Sequence, residues 1–339
     1  MTTIYAHVPS PEHRFPDHPE RPERLSALRL EEIPGIERLA TVPARLEQVA
    51  RVHTPHLIEQ LEAACLQGPG LIDYAPTYVT PTSFTDALRA AGAALGVTRA
   101  VLQGEARNGF SIARPPGHHA EPRRAMGFCL FNNAAIAARE ALAYGVERIA
   151  VIDFDVHHGN GTQAAFLNDP RCAYLSTHQE GIYPGTGWLE DADSPDQRGR
   201  IVNLPLPAHT GNEGFRQILQ RLIAPFLRAF RPGLLLISAG YDAHWRDPLA
   251  SLGLSTAGFT LLSQGLVELA EECCGGKIVF LLEGGYQAEN VANGIRAGFA
   301  ALTGTPAPEI QDACPYREPD IESRLLRALR WHGFETGRS

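Results

Sequence analysis

The stretch ERIAVIDFDVHHGNG, residues 147–161, decides the fold class because a buried strand runs directly into a cluster of polar side chains. Its apolar run, IAVI, shows no polar alternation, which is typical of a parallel strand covered on both faces. In extended backbone, successive side chains point to opposite sides, so Asp153, Asp155 and His157 share one face. Open α/β sheets place their sites beyond such strand ends, and the stretch therefore predicts both the sheet and the edge that carries chemistry.

Two other segments, GLLLISAG (233–240) and KIVFLLEGG (277–285), are apolar runs of the same kind. The remaining candidates are weaker strands at NGFSIAR (108–114) and CAYLST (172–177), and amphipathic or alanine-rich helices over 83–104, 132–145, 212–230 and 256–274. This alternation predicts one α/β domain spanning 1–339 with a mostly parallel sheet. Within it, 303–339 should form a proline-rich connection and a C-terminal helix.

The bulk composition argues against several classes of function. The formal charge of −8 disfavours a non-specific nucleic-acid coat. The six cysteines are scattered without a C-x-x-C pair, which fits a reducing compartment better than a disulfide framework. The start MTTIYAHVPS lacks the basic and apolar regions of a signal peptide, and no run of about 18 apolar residues is present. We therefore expect a cytoplasmic protein without nucleic-acid or membrane partners, and the sequence leaves its oligomeric state open.

Carboxylates and an imidazole at strand ends point to a metal site. Unpaired carboxylates at a buried strand end would be strongly destabilising, whereas a divalent cation would neutralise Asp155 and its neighbours. Asp242 is the first carboxylate after the strand 233–240, where a third ligand should arrive, and His244 and Asp247 are rivals by residue type. Two carboxylates and one imidazole leave a coordination position open, which is the pattern of a catalytic rather than a structural zinc site.

Two other polar features could complete such a site. Tyr286 follows two glycines at the end of the strand 277–285, so its phenol could donate a hydrogen bond to a developing oxyanion. The adjacent His118 and His119 follow a Pro-Pro-Gly turn in RPPGHHA (114–120). Paired imidazoles beside a metal suggest acid–base chemistry near neutral pH.

Six motifs occur in order along the chain: RPPGHHA, GFCLFNNAA, VIDFDVHHGNGTQ, YPGTG, SAGYDAH and LEGGY. Together they resemble the histone deacetylase superfamily, which includes class II deacetylases, acetylpolyamine amidohydrolases and acetoin-utilisation proteins. The similarity extends from HPERPERL (18–25) to about residue 300. It implies the arginase–deacetylase α/β fold, a single mostly parallel sheet of about eight strands between helices.

The resemblance implies a catalytic zinc ion held by Asp155, His157 and Asp242. It makes His119 the general base that activates the attacking water and then the acid for the departing amine. His118 is implied as its more electrostatic partner. The substrate class implied is an acetyl-lysine, another acyl-lysine or a related acylated amine.

Further roles follow from the same resemblance. Asp153 would orient His118, Asn160 would orient His119, and Tyr286 would hydrogen-bond the amide carbonyl. For the substrate channel, the resemblance implies Phe128 and Tyr183 as walls, Gly127 as an acceptor for the substrate amide and Leu249 at the rim. Arg24 would line an inner acetate-release cavity. A potassium ion would lie among Asp153, Asp155, His157 and Ser176. Class I members carry Asp where this chain has Asn160, and a neutral partner should leave His119 less basic.

Three alternatives stay open from the sequence. Leu249, rather than an acidic residue, at the rim favours an acyl-lysine over an acetylated polyamine, although His18, Glu20, Glu121 and Asp73 could still supply rim charge. An arginase-like binuclear manganese enzyme would need further ligand aspartates. A non-catalytic binding module would need a broken catalytic element, and the histidine pair and the tyrosine are intact.

Overall fold

The computed structural model describes residues 2–307 and 309–334. The strands are β1 (Thr3–Val8), β2 (Ile36–Arg38), β3 (Gly70–Leu71), β4 (Tyr78–Val79), β5 (Asn108–Ala113), β6 (Ile149–Asp153), β7 (Cys172–Gln179), β8 (Ile201–Leu206), β9 (Leu234–Ala239) and β10 (Ile278–Leu282). The helices are α1 (Leu46–Val49), α2 (Pro55–Leu66), α3 (Ser83–Leu102), α4 (Asn133–Ala143), α5 (Asn160–Phe166), α6 (Asn212–Ile218), α7 (Ala224–Phe230), α8 (Thr256–Cys274), α9 (Ala288–Thr303) and α10 (Glu322–His332). Short 3₁₀ helices lie at Pro22–Leu25, Leu30–Glu32 and Leu189–Asp191, and a π-helical segment, Leu219–Ile223, joins α6 to α7.

Within the described residues, the main sheet has eight strands in the order β2-β1-β5-β10-β9-β6-β7-β8. Every neighbouring pair runs parallel, which confirms the predicted sheet. β3 and β4 form a separate antiparallel pair. The predicted strand segments correspond to β5, β6, β7, β9 and β10, whereas the sequence pattern does not reveal β1, β2 or β8. β2 and β8 are edge strands; β2 has only three residues, and β8 contains Pro205, which an interior strand would disfavour.

Both faces of the sheet are covered, which explains why its strands are apolar without alternation. On β6, Ile149 and Val151 pack on one side with the alanines of α3 and α4. Ala150 and Ile152 pack on the other side with apolar residues of α8 and α9. The same division holds along β9 and β10, so the sheet separates two apolar layers.

Four neighbouring strands, β5, β10, β9 and β6, form the centre of the sheet. The chain leaves them after Ala113, Leu282, Ala239 and Asp153, all at one edge because the strands are parallel. Loops that are far apart in sequence therefore meet at this edge, as expected for an open α/β sheet. The polar segments that follow these four strands are therefore neighbours in the fold because their strands are neighbours in the sheet.

The C-terminal region contains α10, which packs against β8. It falls within the predicted connection and helix over 303–339, of which residue 308 and residues 335–339 lie outside the described part of the chain. The assignment of 1–339 to one catalytic domain stays a prediction. Along the ranges that the structure describes, no helix combines the length and apolarity needed to cross a bilayer.

Candidate active site

Asp155, His157 and Asp242 bring three ligand atoms together at the ends of β6 and β9. One ligand atom from each residue lies within 4.8 Å of the other two. Nδ1 of His157 is 3.1 Å from Oδ1 of Asp155 and 3.3 Å from Oδ2 of Asp242. Both aspartates are fully buried, and His157 keeps a small accessible edge. Among the residues described, this is the one group of His, Cys, Asp and Glu side chains spaced to hold a metal ion.

The surroundings of this cluster fit a divalent cation. Oδ2 of Asp242 is buried, and its contact with Nδ1 of His157, at 3.3 Å, is one that Oδ1 of Asp155 shares at 3.1 Å, so two carboxylate oxygens face a single imidazole N–H. Glycines leave the space that the carboxylates fill: a Cβ at Gly284 would overlap Asp242, and one at Gly240 would overlap Asp155. Two carboxylates with one imidazole are ligands that Zn²⁺ accepts in open catalytic sites. The residues present therefore fit the predicted metal.

The charges of the cluster also favour a cation. Burial opposes the charge of His157, but hydrogen bonds to Asp155 and Asp242 outweigh burial and raise its pKa to about 10. Burial, followed by the charge of Asp155, raises the pKa of Asp242. Two carboxylates thus share one imidazole, and a dication would supply the missing positive charge.

His118 is paired with a carboxylate. Its Nδ1 lies 3.1 Å from Oδ2 of Asp153, and the hydroxyl of Tyr174 donates to the same oxygen at 2.9 Å. Burial opposes the charge of His118, but the carboxylates of Asp155 and Asp153 outweigh it and raise the pKa to about 10. The side chain is therefore a cation beside the ligand cluster, which fits the predicted electrostatic role.

His119 has a neutral partner and the opposite charge state. Its Nδ1 lies 2.8 Å from Oδ1 of Asn160. Burial, reinforced by the positive charges of His118 and His157, holds its pKa well below the ordinary value. Its Nε2 forms no hydrogen bond with the described residues, so a neutral imidazole is free to accept a proton there. The adjacent histidines, whose ring centroids are 4.0 Å apart, thus differ in partner and charge.

Tyr286 is held by its backbone and by a buried arginine. Its N–H donates to Oδ2 of Asp247 at 2.7 Å, and its ring centroid is 4.9 Å from the guanidinium carbon of Arg24. Arg24 in turn donates from Nε to the carbonyl of Gly285 at 2.6 Å. Burial raises the pKa of Tyr286 well above its ordinary value, so the phenol keeps the proton that it would donate. The role of Arg24 in an inner cavity stays a prediction.

Aromatic rings adjoin the catalytic side chains. Phe128 lies edge-on to Tyr286 with 5.9 Å between centroids, and Tyr183 lies edge-on to His119 at 5.0 Å. Gly127 has a φ of 56°, and a Cβ there would overlap the imidazole of His119. Only glycine lets this turn approach the base so closely. These positions are compatible with the predicted channel, whose substrate contacts stay predictions.

The rim differs from the sequence expectation at two residues. Glu20 is fully buried and accepts hydrogen bonds from Arg114, and His18 is also buried. The expectation that His18 and Glu20 supply rim charge is therefore wrong, because both belong to an interior polar network. Leu249 is 40% exposed, and Asp73 keeps one oxygen without a donor among the described residues.

The rival metal ligands are engaged elsewhere. Nε2 of His244 lies 3.0 Å from Oδ2 of Asp312. The two oxygens of Asp247 accept the backbone N–H groups of Leu249 and Tyr286. The ligand cluster therefore contains neither rival.

The residues predicted around potassium are neighbours in the fold. Ser176 on β7 pairs with Asp153 on β6, directly before Asp155 and His157. The Ser176 hydroxyl itself bonds Nδ1 of His178 at 2.8 Å. Potassium binding stays a prediction.

Glu283 is a residue of the site that the sequence reasoning missed. Its Oε2 accepts the backbone N–H groups of Gly117 at 2.7 Å and His118 at 3.0 Å, and its Oε1 accepts the hydroxyl of Ser238 at 3.1 Å. Burial raises its pKa to about 7. Glu283 thus ties the end of β10 to the histidine loop. The sequence feature that could have identified Glu283 is its position as a carboxylate at the end of the apolar run KIVFLLEGG.

Comparisons with known proteins agree with this geometry. Residues 18–302 match the sequence model of the histone deacetylase domain. Histone deacetylase 14, chloroplastic, of Arabidopsis thaliana is 41% identical over 347 residues, covering 94% of this chain and 82% of that protein. A probable deacetylase of Archaeoglobus fulgidus is 41% identical over 340 residues, covering 98% of this chain and 92% of that protein. The crystal structure of the HDA15 HD domain matches with a TM-score of 0.88 and 30% identity, covering 98% of this chain and 96% of that chain. Similarity of this extent, in sequence and in structure, shows that the chain belongs to the histone deacetylase family and has the arginase–deacetylase fold.

Proposed function

We propose that this protein is a zinc-dependent deacetylase that hydrolyses the amide of acetyl-lysine, another acyl-lysine or a related acylated amine. The observation that carries the proposal is a three-ligand metal cluster beside His119, a neutral imidazole with a free Nε2. An open metal site and a positioned base are the two parts that hydrolysis of an unactivated amide requires. The relatives named deacetylase support the same reaction class.

The side chains divide the work of hydrolysis between them. Asp155, His157 and Asp242 would hold the ion, which when bound polarises an acyl carbonyl and lowers the pKa of water. Nε2 of His119 takes a proton from the attacking water and later delivers it to the nitrogen of the departing amine. The water oxygen bonds to the carbonyl carbon, the C–N bond breaks as the nitrogen takes the proton from His119, and the acyl group leaves as a carboxylate once the second proton of the water has passed to the amine or to solvent.

Tyr286 and His118 stabilise the negative charge that develops on the carbonyl oxygen. The Tyr286 phenol, protonated because of its raised pKa, donates a hydrogen bond whose loss would cost about 3 kcal/mol in the transition state. His118 contributes a positive charge held in place by Asp153. Both groups are fixed before substrate arrives, so little reorganisation opposes the reaction.

Acetylpolyamine deacetylation is the second candidate function. Asp73 offers an oxygen without a donor among the described residues, and its charge acts on Tyr183, so it lies near the aromatic wall. Together with the net charge of −8, this carboxylate would attract a polycationic substrate. The exposed Leu249 at the rim favours the acyl-lysine instead.

The two remote alternatives fit less well. A binuclear manganese enzyme needs a second set of ligands, and the described residues contain one group spaced for a metal. A non-catalytic module would not need His119, Asn160 and Tyr286 arranged as they are. We also propose, from the family resemblance, a structural potassium ion beside the zinc site and a cytoplasmic location.

A turnover screen tests the proposed function. The zinc-loaded protein is assayed with an acetyl-lysine peptide, an acetylated polyamine and longer acyl-lysine peptides, with His119→Ala as the control for contaminating enzymes. We expect the highest kcat/KM for an acyl-lysine substrate. A preference for the polyamine would select the second candidate, and zinc binding without turnover of any acyl-amine would contradict the proposal.

A further inference from the structure

The amide of Asn160 is held by three partners. Its Oδ1 faces Nδ1 of His119 at 2.8 Å. Its Nδ2 lies 2.7 Å from Oε1 of Glu121 and 3.4 Å from the sulfur of Met126, so both amide protons have acceptors away from the histidine. Asn160 is only 7% exposed, and water has little access to replace these partners.

This arrangement determines the tautomer of His119. If the Asn160 amide were reversed, its oxygen would face the carboxylate of Glu121, and two acceptors would oppose each other. With the amide as found, Oδ1 can only accept, so Nδ1 of His119 must carry the proton. The unprotonated nitrogen is then Nε2, which is the atom that the general base uses.

The backbone of Glu121 is fixed independently of Asn160. Its N–H donates to the carbonyl of Arg124 at 2.9 Å, and the N–H of Arg124 donates back at 3.3 Å. The carbonyl of Glu121 also lies 3.0 Å from Nδ1 of His53. The carboxylate on this fixed turn is half-buried and oriented toward Asn160, and the expectation that Glu121 supplies rim charge stays a prediction.

We propose that Glu121 is a positioning residue for His119 and acts through Asn160. The inference rests on the proposed function, in which His119 is the general base. The hydrogen-bonded series His119–Asn160–Glu121 would then be a relay that orients this base. The relay ends in a carboxylate, so the neutral asparagine does not leave His119 without a negative partner: the charge lies one residue further away. Hydrogen bonds in such a series polarise one another.

Substitutions in the relay test the proposal by kinetics. Glu121→Ala removes the acceptor and should lower kcat about tenfold with KM unchanged, since one hydrogen bond to a charged group is lost. Glu121→Gln keeps an acceptor for Nδ2 of Asn160 and should recover most of that loss. Asn160→Asp alone places two carboxylates together and should be poorly active, whereas Asn160→Asp combined with Glu121→Gln provides a donor for the new carboxylate and should restore activity.

A spectroscopic measurement tests the same point without turnover. Histidine ¹⁵N NMR of the zinc-loaded protein, with the His119 signals assigned from their loss in His119→Ala, reports which nitrogen carries the proton. We expect the Nδ1–H tautomer in the parent protein and in Glu121→Gln, and a second tautomer in Glu121→Ala. Glu62→Ala, at an exposed position of α2, is the matched control.

The outcomes separate this inference from the proposed function. Unchanged kcat in Glu121→Ala, a fall in kcat without a change of tautomer, or strictly additive effects of the Asn160→Asp and Glu121→Gln substitutions would overturn the relay. If the parent protein hydrolyses no acyl-amine, the proposed function fails, while the NMR comparison still decides whether Glu121 orders His119.

Discussion

The negative charge of Asp242 has opposite effects on the stability of the metal-free protein and on metal binding. Its carboxylate is buried near that of Asp155, and the two carboxylates share the one N–H of His157. Such a group lowers the stability of the protein unless a cation neutralises it. Asparagine would fit the same space without the charge, but it would be a weaker metal ligand.

The substitution Asp242→Asn should therefore separate metal binding from stability. We expect zinc content to fall well below one ion per chain, measured by elemental analysis, because one anionic ligand is lost. The metal-free variant should be at least as stable in urea as the metal-free parent. Asp193→Asn, at an exposed aspartate, should change neither property. Full zinc retention in Asp242→Asn would point to a different third ligand.

Tyr286 should affect the rate without affecting metal binding. Tyr286→Phe removes the hydroxyl but keeps the ring that packs on Arg24 and Phe128. We expect kcat to fall about 100-fold or more, with zinc content unchanged, because the hydrogen bond is made to the developing oxyanion. Tyr144→Phe, at an exposed site, is the control. Turnover equal to that of the parent would remove the oxyanion role.

At the scale of the elements, β10 and the histidine loop are joined by Glu283. Glu283→Leu would leave the buried N–H groups of Gly117 and His118 without an acceptor, which should lower the free energy of unfolding by about 2–5 kcal/mol. Glu283→Gln is the matched variant, because its carbonyl can accept both N–H groups and its amide can donate to Ser238. Urea denaturation of the two variants measures the difference. Equal free energies of unfolding for the Glu283→Leu and Glu283→Gln variants would show that the hydrogen bonds from Gly117 and His118 do not stabilise the fold.

Elements buried on both faces are the ones that the sequence predicts well. β6, β9 and β10 are central strands, and double burial gives them apolar runs that local inspection detects. Asp155 and His157 follow one of these strands, but β6 ends at Asp153, so the two ligands lie on the turning segment beyond it and not on the extended backbone that the sequence analysis assumed. The edge strands β2 and β8 have no such signature, because an edge tolerates short, polar or proline-containing segments.

Contacts between distant loops are the part that the sequence does not predict. Glu283 binds the N–H of Gly117, which is 166 positions away, and Glu121 reaches Asn160 across 39 positions. Which loops meet depends on the strand order β5-β10-β9-β6, and periodicity carries no information about that order. The contact of Asn160 with Glu121 and that of Tyr286 with Asp247 therefore became visible only in the folded chain.

For the whole molecule, the fold should persist without metal. Two apolar layers pack on the sheet, and neither contains the ligand cluster. Treatment with EDTA should abolish turnover while the far-UV circular dichroism stays unchanged. Restoring zinc at about 100 times its Kd should stabilise the protein by about 2.7 kcal/mol, because only the folded state presents the three ligands together. Loss of secondary structure on chelation would instead show that the protein needs the metal ion in order to fold.

The central claim is that one zinc ion, held by Asp155, His157 and Asp242, makes this chain an acyl-amine hydrolase. The most direct test is to titrate zinc into the metal-free protein while measuring hydrolysis of an acetyl-lysine peptide. We predict that activity rises linearly and saturates at one equivalent of zinc per chain, and that Asp242→Asn stays inactive throughout. Saturation at two equivalents, or bound zinc without hydrolysis of any acyl-amine, would contradict the claim.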